Sequence, residues 1–166
     1  DGRVTVLAAT DPANPYGAAI DRYGILWAPN EGNYQLFYFN TKDPTQQGLA
    51  QVGLGGGGFY GIAVDGFVAP GGTSQLQQIW MGEVGNAGAY RYRPVRDQGF
   101  DGLKNGTWAR AVFDGPGNSP QGRGIGVDNR QPVSYAWVAL DGYVSGTVGG
   151  IGRIPIDIPD AATNLV

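Results

Sequence analysis

Three residues with ligand-binding chemistry stand at the same place in a short repeated sequence. Tyr16, Tyr60 and Arg123 each come directly before the first glycine of the repeat. Tyrosine rings offer a flat apolar face with a polar tip, and a guanidinium donates several hydrogen bonds, so this set suits a sugar or a peptide. The alternative is that the two tyrosines only pack over neighbouring parts of the fold. The sequence leaves both interpretations open.

The residues most often used for catalysis near neutral pH are missing from this chain. Its 166 residues include no histidine and no cysteine. Histidine is the usual proton-transfer group at that pH and a common metal ligand, and cysteine would be needed for a disulfide framework or a thiolate metal site. These absences favour a non-catalytic protein and leave an enzyme as the alternative.

Three copies of one pattern run along the chain and must position the ligand-binding residues. Each copy begins with a run that ends in aspartate, namely GAAID at 17–21, GIAVD at 61–65 and GIGVD at 124–128. Small and larger apolar residues alternate along each run, which is typical of a β-strand whose small face lies where backbones approach closely. An aspartate at the end of such a strand can accept a backbone hydrogen bond in an Asx turn.

Further strands follow the aspartate in each copy. A tryptophan marks the second strand, at Trp27, Trp80 and Trp137, and its position inside an apolar run predicts that it lies in the core. Third and fainter fourth runs lie at 35–39, 49–53, 89–93, 107–113 and 152–156. Four short strands per repeat, with the aspartates 44 and 63 residues apart, are typical of a β-propeller blade.

We therefore expect an all-β fold, a single propeller segment of about three four-stranded blades. The blades cover about 16–58, 59–115 and 122–166, and 1–10 supplies a strand of a preceding or closing blade. Propellers close with roughly four to eight blades, so three would leave two open, aggregation-prone ends. We expect the ring to be completed by a second copy, by a longer polypeptide of which this chain is a fragment, or by a partner.

The repeat G-(I/A)-(A/G)-(I/V)-D, followed by tryptophan and then by tyrosine or phenylalanine, resembles the NHL-type β-propeller family. The resemblance covers roughly 16–160. That family includes streptogramin lyases and gluconolactonase-like hydrolases, so it implies a blade and not one chemistry. Such lyases use histidines with magnesium, and this chain has no histidine to put in those places.

The resemblance to gluconolactonase-like hydrolases implies a divalent cation at the mouth of the propeller channel. Carboxylate and asparagine oxygens would hold it, and they suit calcium or magnesium. The candidates are loop residues between second and third strands: Asn30, Glu31, Glu83, Asn86 and Asp141. In a propeller these loops share one face with the loops that lead into the first strands, and therefore with the two tyrosines and the arginine above. The alternative is that they form plain solvated turns.

Charge and hydropathy exclude some partners. The formal net charge is −3 and most of the 11 lysines and arginines are scattered, so we expect no nucleic-acid partner. No apolar run approaches the roughly 18 residues that span a bilayer, so we expect no membrane span. The chain begins at Asp1 without methionine, which fits a processed secreted protein or an excised fragment.

These patterns together predict a non-catalytic extracellular or cell-surface module that binds a protein or a carbohydrate, or serves in structural assembly, and that needs no cofactor. The alternative is a hydrolase or lactonase of the gluconolactonase-like type, which would depend on bound calcium or magnesium.

Overall fold

The fold is all-β, as the sequence predicts, with one short helix among the described residues. A computed structural model describes residues 14–52, 57–66, 77–113, 121–128, 134–142, 149–156 and 163–165. The strand expected within 1–10 lies outside the described residues. Within the described ranges, no helix has the length and apolar character needed to pass through a lipid bilayer.

The strands are short and follow one another along the chain with turns between them. In chain order they are β1 (Ala19–Ile20), β2 (Ile25–Pro29), β3 (Gln35–Asn40), β4 (Asp43–Gln51), β5 (Gly58–Val64), β6 (Ile79–Val84), β7 (Gly88–Arg93), β8 (Thr107–Val112), β9 (Gln121–Asp128), β10 (Tyr135–Asp141), β11 (Gly150–Pro155) and β12 (Thr163–Leu165). Helix α1 (Gly99–Gly102) and a 3₁₀ turn (Leu103–Asn105) stand between β7 and β8. The sequence analysis did not anticipate this helical insertion.

The strands form three sheets, each built from consecutive antiparallel neighbours. Sheet 1 has the order β1-β2-β3-β4, sheet 2 has β5-β6-β7-β8, and sheet 3 has β9-β10-β11. Strand β12 extends sheet 2 by pairing parallel to β8. The sequence analysis grouped 122–166 as one repeat, but β12 joins the preceding sheet because the edge strand β8 offers unpaired backbone groups.

The three sheets share one strand register. In each sheet the tryptophan lies opposite the residue two positions before the aspartate that ends the first strand: Trp27 opposite Ala19, Trp80 opposite Ala63, and Trp137 opposite Gly126. Residues directly opposite each other point to the same side of an antiparallel pair. We call the side of each sheet that carries the tryptophan its Trp face, and the other side its back face.

The sheets stack face to face in chain order. Between sheets 1 and 2 the core is aromatic, with Trp27 and Tyr38 from the Trp face of sheet 1 against Tyr90 and Tyr92 from the back face of sheet 2. The rings of Trp27 and Tyr92 are 6.0 Å apart, edge to face. Between sheets 2 and 3 the core combines Trp80 with small side chains: Ala87, Ala89, Ala109, Ala111, Ala136 and Val138. Within the described ranges, the sheets do not close into a barrel or a ring.

A buried aspartate fixes each of the first two tryptophans. Trp27 Nε1 donates to Asp21 Oδ2 at 2.9 Å, and Trp80 Nε1 donates to Asp65 Oδ2 at 2.8 Å. The other oxygen of Asp21 accepts the backbone N–H of Tyr23 at 2.9 Å, which is the predicted Asx turn. The repeated aspartate and tryptophan of the sequence therefore encode a side-chain bond between the first and second strands of a sheet. The sequence pattern alone did not predict this bond between aspartate and tryptophan.

Trp137 departs from the pattern, and the prediction that it lies in the core is wrong. It is 38% exposed, whereas Trp27 and Trp80 are each 0% exposed. Its register is the same as theirs, so the difference does not come from its own sheet. Sheet 3 is the last sheet of the stack among the described residues, and none of the other described sheets packs against its Trp face.

The predicted close approach of first strands occurs between β5 and β9. A Cβ atom added at Gly61 would lie 2.5 Å from the carbonyl oxygen of Arg123 and 2.9 Å from the Cα of Gly124. No side chain fits in that space, because real Cβ atoms do not approach backbone atoms so closely. Glycine at this position lets sheets 2 and 3 come together along their first strands.

Replacing Asp65 by alanine tests the bond to tryptophan. Asp65→Ala removes the acceptor for Trp80 Nε1 and for the backbone and side-chain N–H groups of Gln78, all of them buried. We expect the free energy of unfolding to fall by about 3 kcal/mol or more, because buried donors lose their partners. Asp43→Ala is the matched control, since Asp43 bonds only its exposed neighbour Thr45 among the contacts found. Equal losses in urea denaturation of the two variants would contradict this role.

Candidate functional site

The two ends of the sheets carry different residues. At one end the first strands begin and the turns between second and third strands lie close to them. There the Phe59 N–H donates to the Asn30 carbonyl at 2.8 Å, and the Gly122 N–H donates to the Asn86 carbonyl at 3.2 Å. We call this the entry edge. The opposite end, where the first strands finish at Asp21 and its counterparts, is the aspartate edge.

Three residues singled out by the sequence come together at the entry edge. The rings of Tyr16 and Tyr60 are 3.8 Å apart between centroids and inclined by 31°. The guanidinium carbon of Arg123 lies 4.6 Å from the centroid of the Tyr60 ring. Arg123 Nε also donates to Asp141 Oδ2 at 2.9 Å. Tyr16, Tyr60, Arg123 and Asp141 thus form one continuous stack, which we call the entry stack.

The entry stack is accessible and chemically mixed. Tyr16 is 45% exposed, and the side chains of Arg123 and Asp141 are 24% and 39% exposed. A side-chain hydrogen bond with Tyr16 is the main cause that raises the pKa of Tyr60 above its ordinary value. The stack therefore presents aromatic surface, hydroxyl groups, guanidinium donors and a carboxylate acceptor within a few ångströms of one another.

Most of the other predicted site residues belong to turns. Asn30 is buried, and its Oδ1 accepts the backbone N–H of Gly32 at 2.9 Å in an Asx turn. Asn86 Nδ2 donates to Glu83 Oε1 at 2.9 Å. The Glu31 N–H donates to the Asn14 carbonyl at 3.1 Å, and its side chain is partly exposed near the entry stack. These contacts support the turn interpretation for the two asparagines.

Glu83 is a buried member of an ion pair. It is 1% exposed, and Arg110 donates to both of its oxygens, from Nε at 2.8 Å and from Nη2 at 2.9 Å. The hydroxyl of Tyr34 in sheet 1 donates to Glu83 Oε1 at 2.9 Å. Removing one partner of such a buried pair costs about 3–5 kcal/mol. Glu83 therefore joins sheet 1 to sheet 2, and a cation could bind its carboxylate only by displacing Arg110.

No cluster suited to a metal ion stands out in the described part of the chain. Groups of three or more acidic, histidine or cysteine side chains within coordinating reach do not occur there. Glu31 and Asp141 remain partly exposed at the entry edge, and Asp141 is paired with Arg123. Glu31 and Asp141 therefore remain candidate ligands for calcium or magnesium, whereas Glu83 is not free to bind a cation.

A cleft at the aspartate edge was missed by the sequence analysis. It encloses about 230 Å³ and is lined by Tyr23, Ile25, Asn40, Gln46, Arg96, Gly99, Phe100 and Leu103. The guanidinium carbon of Arg96 lies 4.4 Å from the Tyr23 ring centroid, and Arg96 Nη2 donates to Asp21 Oδ2 at 2.8 Å. The cleft forms because the insertion between β7 and β8 reaches sheet 1. A sequence signal existed in the excess length of the second copy, but it does not say where the insertion folds.

No protein-family model matches this chain, and neither a curated protein nor a solved structure matches it.

Alkaline pH tests the buried tyrosine that bonds Glu83. Burial, with the negative charge of Glu83 second, raises the pKa of Tyr34 from 10.0 to about 12. The unfolded chain then releases this proton at a lower pH than the folded chain does. The protonated Tyr34 hydroxyl therefore contributes to the free energy of unfolding. This contribution is fully present below pH 10 and is lost as the pH rises towards 12.

We expect Tyr34→Phe to be less stable than the wild type at pH 8, because Glu83 loses a hydrogen bond. Between pH 8 and pH 11 the variant should lose less stability than the wild type does, because it lacks the titrating hydroxyl. Urea denaturation at each pH measures both effects. Tyr92→Phe is the companion variant, since burial also raises the pKa of Tyr92 to about 12. Parallel losses in the wild type and Tyr34→Phe would show that this hydroxyl is not the titrating group.

Proposed function

We propose that this chain is a non-catalytic binding module, secreted or displayed on a cell surface, and that it binds a carbohydrate at the entry stack. We further propose that its three sheets are blades of an NHL-like β-propeller. The entry stack is the observation that carries the ligand proposal. The resemblance of the repeat and the packing of the first strands support the propeller.

The packing of the first strands favours a radial arrangement. Gly61 of β5 lies against Arg123 and Gly124 of β9, and a Cβ atom added at Gly17, just before β1, would be 3.7 Å from Ile62 of β5. First strands that approach one another in this way, with later strands of each sheet further along the sheet, are typical of blades around an axis. In that arrangement the entry stack would border the mouth of the channel.

The chemistry of the entry stack favours a sugar. A sugar ring has an apolar face edged by hydroxyl groups, so it needs a flat hydrophobic surface with donors and acceptors beside it. Tyr16 and Tyr60 supply the surface, Arg123 supplies donors and Asp141 supplies an acceptor. The contacts between these side chains hold them in place before a ligand arrives, which lowers the entropic cost of binding.

The binding module is preferred over the metal-dependent hydrolase because of Glu83. Its carboxylate accepts hydrogen bonds from Arg110, Tyr34 and Asn86. An acidic residue used in this way stabilises the contact between two sheets and is not available to activate water or hold a cation. No specific contact among the described residues favours the hydrolase in return.

A panel of immobilised oligosaccharides tests the ligand proposal. We expect the wild-type chain to bind a subset of sugars. Tyr60→Ala and Arg123→Ala should each raise the dissociation constant by about 30-fold, because each variant removes a central contact. Isothermal titration with the best soluble sugar measures that constant.

Tyr23→Ala is the matched control for Tyr60→Ala. Tyr23 also stacks against an arginine, Arg96, at 4.4 Å, but at the aspartate edge. It should leave sugar binding unchanged. If no sugar binds, or if Tyr23→Ala and Tyr60→Ala weaken binding equally, the entry stack is not a carbohydrate site. A peptide ligand would then be the next class to examine.

Cation addition separates the binding module from the hydrolase. For the binding module we expect millimolar calcium or magnesium to change the melting temperature by no more than about 1 °C, since no tight cation site stabilises the folded chain. A shift of several degrees that disappears in Glu31→Ala, measured by differential scanning fluorimetry, would favour the hydrolase. Thr45→Ala is the control for that variant, because Thr45 is exposed and remote from the entry edge.

A further inference from the structure

Equivalent positions on the Trp faces can be compared because the register is shared. Each tryptophan pairs with a residue on the third strand of its sheet, and the residue two positions before that partner lies on the same Trp face. We call this residue the companion of the tryptophan. These companions are Leu36 in sheet 1, Ala89 in sheet 2 and Ile151 in sheet 3. In sheet 1 and sheet 2 the tryptophan and its companion belong to the core that the next sheet covers.

The same positions are exposed in sheet 3. Leu36 is 0% exposed and Ala89 is 1% exposed, but Ile151 is 75% exposed. A Cβ atom added at Gly126, opposite Trp137, would meet nothing within 4 Å. Arg153 lies over the Tyr135 ring at 4.5 Å on this face, so the surface is aromatic with a positive charge. The Trp face of sheet 3 therefore has the apolar composition of the covered Trp faces, but no other described sheet covers it.

The back face of sheet 1 is exposed along its outer strands, although Ala28 and Phe37 on its middle strands are each 5% exposed. Ile20, which ends β1 and lies opposite Leu26, is 60% exposed. Its equivalents in the other sheets, Val64 and Val127, pack against the cores that the preceding sheets help to form. Leu49, on the same face of sheet 1, is 39% exposed. Sheet 1 is the first described sheet in the stack, so none of the other described sheets packs against this face.

We propose that the Trp face of sheet 3 binds the back face of sheet 1 of a second copy of this chain. The contact would repeat the packing by which sheet 1 meets sheet 2 and sheet 2 meets sheet 3. Each copy carries both surfaces, so two copies related by a twofold axis would make the contact twice and leave neither surface exposed. The product is a closed dimer of six sheets.

The distribution of exposed apolar residues supports a second copy as the occupant. The large hydrophobic side chains exposed among the described residues are Tyr16, Ile20, Tyr23, Leu49, Trp137 and Ile151. Four of these six lie on the two faces just described, and burying such patches is the usual reason for their presence. One face offers protruding side chains and an open strip at Gly126, and the other offers the exposed aliphatic side chains of Ile20 and Leu49. Neither surface includes a residue of the entry stack, so this inference stands apart from the proposed ligand.

Sedimentation equilibrium of charged variants tests the dimer. We expect the wild type at micromolar concentration to have twice the mass of the 17.4 kDa chain. Ile151→Asp and Ile20→Asp each place a carboxylate in the contact, and each should weaken the dimer by about 100-fold or more. Both residues are exposed in the single chain, so both variants should keep the wild-type far-ultraviolet circular dichroism. Tyr23→Asp is the matched control, an exposed apolar residue on neither face, and should remain dimeric.

Mixing the two disruptive variants gives the sharpest result. In a mixed pair, the wild-type Trp face of Ile20→Asp meets the wild-type back face of Ile151→Asp, so one of the two contacts is intact. We therefore expect the mixture to form a heterodimer more readily than either variant forms a homodimer. A contact between two identical faces would give no such rescue.

The proposal is overturned if the wild type stays a monomer up to hundreds of micromolar, or if either aspartate variant associates as strongly as the wild type. A mass that grows without limit would also overturn it, because it would mean an open chain of copies in place of a closed dimer. If one variant fails to fold, Ile151→Ser at the same exposed position gives the same comparison with a smaller expected weakening.

Discussion

The structure depends on a buried hydrogen bond between an aspartate and a tryptophan. A carboxylate at the end of the first strand fixes the indole of the second strand, as Asp21 does for Trp27 and Asp65 for Trp80. The bond holds the large ring on one side of its sheet, and that side must then be covered by the next sheet to exclude water. One local interaction thus determines both the pairing of two strands and the direction in which the sheets stack. The geometry of the entry edge follows, because stacking in this direction brings the residues before the first strands together.

The all-β character of the fold and most of its strands were predictable because their signals are local. Alternation of residue size gave the strands, and the repeated aspartate and tryptophan gave equivalent positions in three sheets. The failures concern contacts between distant parts of the chain. Nothing near Trp137 in the sequence says that its face lacks a neighbour, and nothing in β12 says that it pairs with β8. The helical insertion after β7 was missed because its short segment has no helical periodicity to detect.

The candidate site was predictable in part for the same reason. Tyr16, Tyr60 and Arg123 occupy one repeat position, so sequence alone could group them, and the structure places them within stacking distance. Glu83 could not be interpreted from the sequence, because its partners are distant along the chain: Arg110 lies on β8 and Tyr34 lies in the turn before β3. A carboxylate that the sequence predicts to lie in a loop resembles a potential metal ligand, but Glu83 lies on strand β6 with buried partners. Only the fold shows that this one neutralises an arginine and ties two sheets together.

The two cores between the sheets are unequal, and this has a consequence for how the molecule opens. Sheets 1 and 2 share many interlocked aromatic rings and the Glu83 ion pair, whereas between sheets 2 and 3 Trp80 and Phe113 are the only aromatic members of a described core made otherwise of alanines and a few aliphatic side chains. In proteins built from successive similar units, stability is close to a sum of unit and neighbour terms. The weakest neighbour term sets the lowest-energy partial opening. Transient detachment of sheet 3 would therefore precede global unfolding, leaving the first two sheets as a cooperative pair that proteases and solvent reach last.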